Sequence, residues 1–191
     1  MAVLVAFSGC GDGDDDADPG AQSGTTETTP STGAGTTQPP AGTEFRDAKG
    51  RYSLRIGESW DKLPASATAG VGAEVEAWAV GAAVDGFTPN VNVLVQEFSG
   101  STPQDYITYT GKGGGGVVVE RGEVITLPDG TPAARFVLSQ ENEGKKLFSL
   151  GIAVTKRGSA ALATLTTPEA DFERYSKDVE PLLQTLRLLN S

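Results

Sequence analysis

From Gly11 to Thr43 the chain has no Val, Ile, Leu, Met, Phe, Tyr or Trp. This stretch of 33 residues is built from eight Thr, seven Gly, five Asp, four Pro and four Ala, with two Ser, two Gln and one Glu. Ordering a backbone costs about 1–2 kcal/mol per residue, and such a segment has no apolar surface to bury in return. It reads as a disordered linker, so whatever this chain folds must lie after it. Residues 44–191 supply 148 residues, enough for one domain with its own core. The linker carries −6 of the net charge of −10, and the domain, with all 15 basic and 19 of the 25 acidic residues, carries −4. That balance excludes the basic footprint a nucleic-acid binder needs, and a monomer is expected.

The segment before the linker points to a membrane. Residues 1–7 are an apolar run, followed by Ser8, Gly9 and Cys10, the only cysteine of the chain. Phe7-Ser8-Gly9-Cys10 resembles a bacterial lipobox, in which a peptidase cuts before a cysteine whose thiol is then acylated. Phe7 stands where that pattern has Leu, and residues 1–9 lack the Lys or Arg of a signal n-region. The expectation is that Met1 is not the true start and that a basic segment lies upstream. The chain then divides into a signal remnant (1–9), a lipidated linker (10–43) and a domain (44–191). A coil of this length spans roughly 30–35 Å, enough to lift the domain clear of lipid headgroups. The Asp-rich start, Asp12 to Asp18, is not an EF-hand loop, because Ala17 and Ser23 occupy the positions that need Gly and Glu. Residues 25–37 have the Thr and Pro content of an O-glycosylated stalk.

Within the domain, Phe45 to Ile56 reads as a strand pair turning at Asp47-Ala48-Lys49-Gly50. Val75 to Val80 is a second strand region, and Val91, Val93 and Val95 alternate in a third. Thr102 as N-cap, Pro103 behind it and Asp105 at the third helical position open a short helix ending at Gly111, with Tyr106 and Tyr109 on one face. Residues 117–127 form a long strand, bulged at Gly122, and Asp129-Gly130 turns it into a hairpin. Ala134, Phe136 and Leu138 alternate in the next strand, and Phe148, Leu150, Ile152 and Val154 in the one after. A turn at Lys156-Arg157-Gly158 leads to a strand over 160–166. Thr166 and Glu169 suggest a capping box for a terminal helix whose stripe is Phe172, Tyr175, Val179, Leu182, Leu183 and Leu186, interrupted at Pro181. The order predicts an α+β domain, an antiparallel sheet with helices packed on it.

The opening Phe45…Gly50-Arg51-Tyr52-Ser53-Leu54…Trp60, the strand Thr88-Pro89-Asn90-Val91-Asn92-Val93 and the turn Gly130-Thr131-Pro132-Ala133-Ala134-Arg135 resemble the LpqN/LpqT lipoproteins of actinobacteria. These are similar in turn to the PsbP-like domains of photosystem II assembly. The resemblance covers about residues 44–190 and implies an α/β/α sandwich with a central antiparallel sheet. It implies a binding or assembly factor rather than an enzyme. Residues 112–116 depart from the family pattern.

Catalytic chemistry finds little support. The chain has no His, which removes the commonest general base and metal ligand, and it has no nucleophile elbow. No cofactor and no metal site are expected. The remaining route is a carboxylate pair, Glu74 and Glu76, acting on wall glycans. The favoured expectation is non-catalytic binding of an envelope protein or glycolipid by a protein held on the outer face of the cytoplasmic membrane. Its candidate surface is Trp60, Tyr106, Tyr109 and Lys112, next to the four glycines 113–116. Cys10 is the attachment point. Lipid chains gain about 0.8 kcal/mol per buried CH₂. Cys10→Ala in the full-length gene should therefore move the protein from the membrane fraction to unprocessed precursor or medium. Cell fractionation checks this, and a variant that matures normally and stays membrane-bound contradicts the lipoprotein reading.

Overall fold

The computed structural model describes residues 40–68, 74–112, 117–142 and 144–189. Cys10, the linker up to residue 39 and the glycines 113–116 lie outside the described residues. Among those described, ten strands form two antiparallel sheets. The larger one runs in the order β3 (Asp61–Lys62), β4 (Val75–Ala79), β5 (Asn90–Phe98), β9 (Gly158–Pro168), β8 (Lys145–Lys156), β7 (Pro132–Asn142) and β6 (Val118–Thr126). The smaller pairs β1 (Thr43–Arg46), β2 (Tyr52–Ile56) and β10 (Arg187–Leu188). Two helices, α1 (Pro103–Gly111) and α2 (Phe172–Leu183), complete the domain.

Alternation along the strands sorts the apolar residues onto two faces. Val91 and Val93 of β5, Leu150, Ile152 and Val154 of β8, and Ala161, Ala163 and Leu165 of β9 share one core with Val179 and Leu183 of α2 and with Tyr52 and Leu54 of β2. Leu94, Ala153, Ala160, Leu162, Phe136 and Leu138 point the other way, into a second core with Tyr106 of α1. The large sheet is thus covered on one side by α1 and on the other by α2 together with the small sheet. This is the α/β/α sandwich expected of an α+β domain.

Local signals explain most of the elements. Thr102 Oγ1 accepts the Asp105 N–H at 3.1 Å, and Asp105 Oδ2 accepts the Thr102 N–H at 3.0 Å, so the capping box of α1 is complete. At the β6–β7 turn Gly130 has φ 87°, and Asp129 Oδ1 takes the Thr131 N–H at 3.0 Å. Three expectations need correction. The bulge of β6 falls between Val119 and Arg121, so Glu120 is the extra residue. Gly122 serves a different need, because a Cβ there would stand 2.5 Å from Cγ2 of Ile107 on α1. The capping box at Thr166 and Glu169 does not form. Thr166 is a buried member of β9, Glu169 begins a short 3-10 turn, and α2 starts after Asp171 with no side-chain cap. Finally, α2 ends at Leu183, two residues past Pro181; Leu186 stays in the core beyond it, and the chain adds β10 to the small sheet.

An ion pair ties the layers together. Arg135 of β7 donates through Nε and Nη2 to the two carboxylate oxygens of Glu180 on α2, at 2.7 and 2.9 Å, and through Nη1 to Glu123 at 3.0 Å. Hydrogen bonding from Arg135 holds the Glu180 carboxyl below its ordinary value of 4.5, burial opposing this only in part. A depressed carboxylate pKa stabilises the fold above the unfolded value and loses that contribution as pH falls through the folded one. Glu180→Gln should therefore cost about 1 kcal/mol near neutrality, a partly exposed charge-assisted pair. The gap between wild type and variant should close as pH drops below 4.5, as measured by chemical denaturation at a series of pH values. A gap that persists unchanged at acid pH refutes the assignment.

Candidate functional site

The α1 side of the large sheet has two unlike ends. Toward the C-terminal end of β5 it is apolar. Tyr106 is fully buried, its ring 5.1 Å from Phe98 and 6.0 Å from Phe136, and its hydroxyl accepts a hydrogen bond from Gln96 Nε2 at 2.7 Å. Burial pushes the Tyr106 hydroxyl well above its usual pKa. Above this core, Phe98, Ser99, Asp105, Thr108, Tyr109 and Lys112 border a shallow cleft of about 320 Å³.

Toward the N-terminal end of β5 the same face turns polar. Asn90 and Asn92 lie opposite Thr166 and Thr164 of β9, and Thr166 lies opposite Ser149 of β8. None of the five is more than 1% exposed. The Ser149 and Thr166 hydroxyls bond each other at 3.0 Å, and Asn90 Nδ2 donates to the Thr88 carbonyl at 2.9 Å. Asn90 Oδ1, both polar atoms of the Asn92 side chain and Thr164 Oγ1 have no protein partner. Buried polar atoms are nearly always paired, and each left alone costs about 1–3 kcal/mol. Four of them in one strip, with no charged residue among the five, make a neutral array of donors and acceptors. The segment from Gly81 to Pro89 leads into β5 at Asn90. Val84 and Phe87 exchange backbone hydrogen bonds at 2.8 and 2.9 Å, Asp85 has φ 50°, and Phe87 is buried. Lys145 Nζ, from the first residue of β8, donates to the Asp85 carbonyl, which ties this segment to the start of β8.

The four residues expected to form one surface are separated. Tyr109 and Lys112 do border the α1 cleft. Tyr106 lies beneath it in the core and offers no surface. Trp60 is half-buried against the opposite core, on the α2 side. Trp78 is buried there as well, its ring edge-on to Phe45 at 5.0 Å. Glu74 and Glu76 are each held by separate cations. Glu74, just before β4, pairs with Lys49 at 2.5 Å and Arg51 at 2.9 Å, and Glu76 pairs with Lys62 at 2.7 Å. Glu76 borders a cleft of about 450 Å³ that Glu74 does not line. Among the described residues no group of three or more His, Cys, Asp or Glu is placed to hold a metal ion. No helix among them is long and apolar enough to cross a membrane.

The polar strip went unread because Asn90 and Asn92, alternating with valines, look like the solvent face of a half-covered strand. The signal was available in the strands beside them. If both faces of the sheet are covered, alternate polar residues of a central strand must be buried.

No family model matches the sequence. No curated protein matches it either. Solved structures do. A cyanobacterial PsbP from Synechocystis superposes with a TM-score of 0.53 at 14% identity, covering 82% of this chain and 97% of that one. LpqN of Mycobacterium tuberculosis, described as involved in cell envelope biogenesis, gives 0.52 at 14% identity, covering 78% and 90%. A Pseudomonas aeruginosa protein of unknown function gives 0.53 at 18% identity, covering 78% and 98%. The fold is PsbP-like.

If the strip is kept for something other than stability, removing its orphaned atoms should not harm the fold. Replacing a buried unpaired polar group by an apolar one of similar shape is neutral or stabilising. Asn92→Leu should leave the unfolding midpoint unchanged or raise it, by up to about 2 kcal/mol in stability. A loss of more than 1 kcal/mol in calorimetry or denaturant titration would mean that Asn92 already has its partners within the fold.

Proposed function

We propose that this chain is a lipid-anchored cell-envelope protein that acts by non-catalytic binding of an envelope glycolipid or envelope protein. One observation carries the reading: the buried strip Asn90, Asn92, Thr164, built of neutral amides and hydroxyls without protein partners, which a headgroup reaches only when the cover over this end of the sheet opens. Carboxamides offer donor and acceptor together, and a hydroxyl offers either, which suits the ring and chain hydroxyls of a glycolipid headgroup better than it suits an ion. The PsbP-like fold is shared with LpqN, whose description places that protein in cell envelope biogenesis, and the Cys10 lipobox with its linker gives a means of attachment. The protein is proposed to be extracytoplasmic and monomeric.

The rival reading, a glycan hydrolase, needs two carboxylates converging on one bond. Glu74 and Glu76 are each occupied by basic side chains, so no observation favours it.

The test is recovery of the mature acylated protein from its native membranes in mild detergent, followed by native mass spectrometry. A glycolipid or a defined envelope protein should leave with the wild type and be lost from Asn92→Leu. Recovery of nothing beyond bulk phospholipid, or equal recovery by both forms, overturns the reading. Glycan cleavage abolished by Glu76→Gln would replace it with the hydrolase.

A further inference from the structure

The outward face of the small sheet is basic in an acidic protein. Strand alternation puts Phe45, Tyr52, Leu54, Ile56 and Leu188 on the core side. Their neighbours Glu44, Arg46, Ser53, Arg55 and Arg187 therefore face away from the core. The register sets Arg46 and Arg187 on either side of Ser53, and Glu44 opposite Arg55. Glu44, Ser53, Leu54, Arg55, Thr185 and Arg187 line a cleft of about 240 Å³.

The hydrogen bonding in this cleft is incomplete on the donor side. Arg55 Nη2 donates to the Gly42 carbonyl at 2.5 Å, while Arg55 Nε is buried with no partner. Among the described residues Arg55 has no carboxylate partner; its cross-strand neighbour Glu44 approaches Arg46 instead, at 3.8 Å. Arg187 pairs with Asp129 through Nε at 2.5 Å and donates from Nη1 to the Gln184 and Leu186 carbonyls, which leaves Nη2. Thr185 has no donor left for a ligand, since Oγ1 donates to the Leu182 carbonyl at 2.6 Å and accepts from the Arg55 N–H at 2.8 Å. It fixes the wall of the cleft and the position of Arg55. A guanidinium N–H taken out of water without an acceptor is costly, and two arginines with a hydroxyl lining one cleft form a donor set for a tetrahedral oxyanion.

We infer that the Ser53–Arg55–Arg187 cleft binds a phosphate-class oxyanion, with Arg55 as its main donor, the Ser53 hydroxyl two residues along the same strand and Arg187 across from Ser53 on β10. Glu44 on the rim opposes the anion and sets its affinity. The shared chemistry is the phosphoryl oxygen, carried by free phosphate or by a lipid headgroup. The cleft lies where the N-terminal stretch joins the domain, because Arg55 also holds the Gly42 carbonyl. This inference stands apart from the polar strip and does not depend on it.

The full chain carrying Cys10→Ala, which is not acylated, is titrated with inorganic phosphate while the Arg55 and Arg187 side-chain N–H signals are followed by NMR. It is also sedimented with phosphatidylglycerol vesicles and with phosphatidylcholine vesicles. Saturable phosphate shifts at Arg55 assign a free-phosphate site. Sedimentation with phosphatidylglycerol alone assigns a headgroup site. In either case Arg55→Met should weaken binding about tenfold or more, as expected for loss of a charge-assisted hydrogen bond, and Arg55→Lys less. Glu44→Gln should tighten binding about threefold, the removal of one exposed like charge. That gain keeps the test valid even if Arg55→Met fails to fold. No response to phosphate or to either vesicle, or binding that neither Arg55→Met nor Glu44→Gln changes, overturns the proposal.

Discussion

Eight consecutive residues of β9, Ala160 to Thr167, are buried, and this double-sided burial governs the rest of the domain. A central strand with both faces out of water needs a cover on each. One cover is α1, short and well capped, with Tyr106 as the side chain that reaches the sheet. The other is a composite of α2 and the three-stranded sheet, which contributes Tyr52 and Leu54 to the same core as Val179 and Leu183. The Arg135–Glu180 pair then joins sheet to helix through the only guanidinium that, among the described residues, bridges β6, β7 and α2. Small residues crowd β9. Ala160, Ala161 and Ala163 let the layers approach.

The same constraint decides what was legible in the sequence. Strands with one strong apolar face announced themselves, as in Leu150, Ile152 and Val154, and so did turns with special backbone needs, as at Asp129-Gly130. The α1 cap was legible because Thr102 and Asp105 act over three residues. Signals failed where a residue type has two uses. Thr166 looked like a cap, yet a threonine is equally at home in a buried strand when Ser149 offers it a partner. Tyr106 and Tyr109 were rightly placed on one face, but their spacing could not say that one ring would fill the core and the other border the cleft above it. β10, with two residues, is too short to carry a pattern at all. Its place comes from Leu186 and Leu188 needing burial after the helix has ended.

For the candidate sites the lesson is similar. Aromatic and glycine-rich signals drew attention to the α1 end of β5, whereas the unusual chemistry sits at the other end. Asn90 and Asn92 are distinctive only in context, since asparagine in an exposed strand means little and asparagine sealed beneath a covered sheet demands a partner. Likewise Arg55 is an ordinary surface residue by sequence. It becomes informative because Thr185 anchors its backbone while its cross-strand glutamate turns to another arginine.

The contact of β10 with β2 has a consequence for the order in which the domain can be made. Arg187 and Leu188 pair with Ser53 and Tyr52, and the Leu189 N–H closes on the Arg51 carbonyl at 2.7 Å. Until these last residues arrive, β2 has an open edge and the α2-side core lacks both its helix and its closing strand. The α1-side core, from Leu94 to Leu162, can close without them, whereas the α2-side core cannot. The two faces of one sheet thus differ in how far along the chain their partners lie, the α1 face drawing on nearby segments and the α2 face on contacts 130 residues apart, such as Arg55 with Thr185.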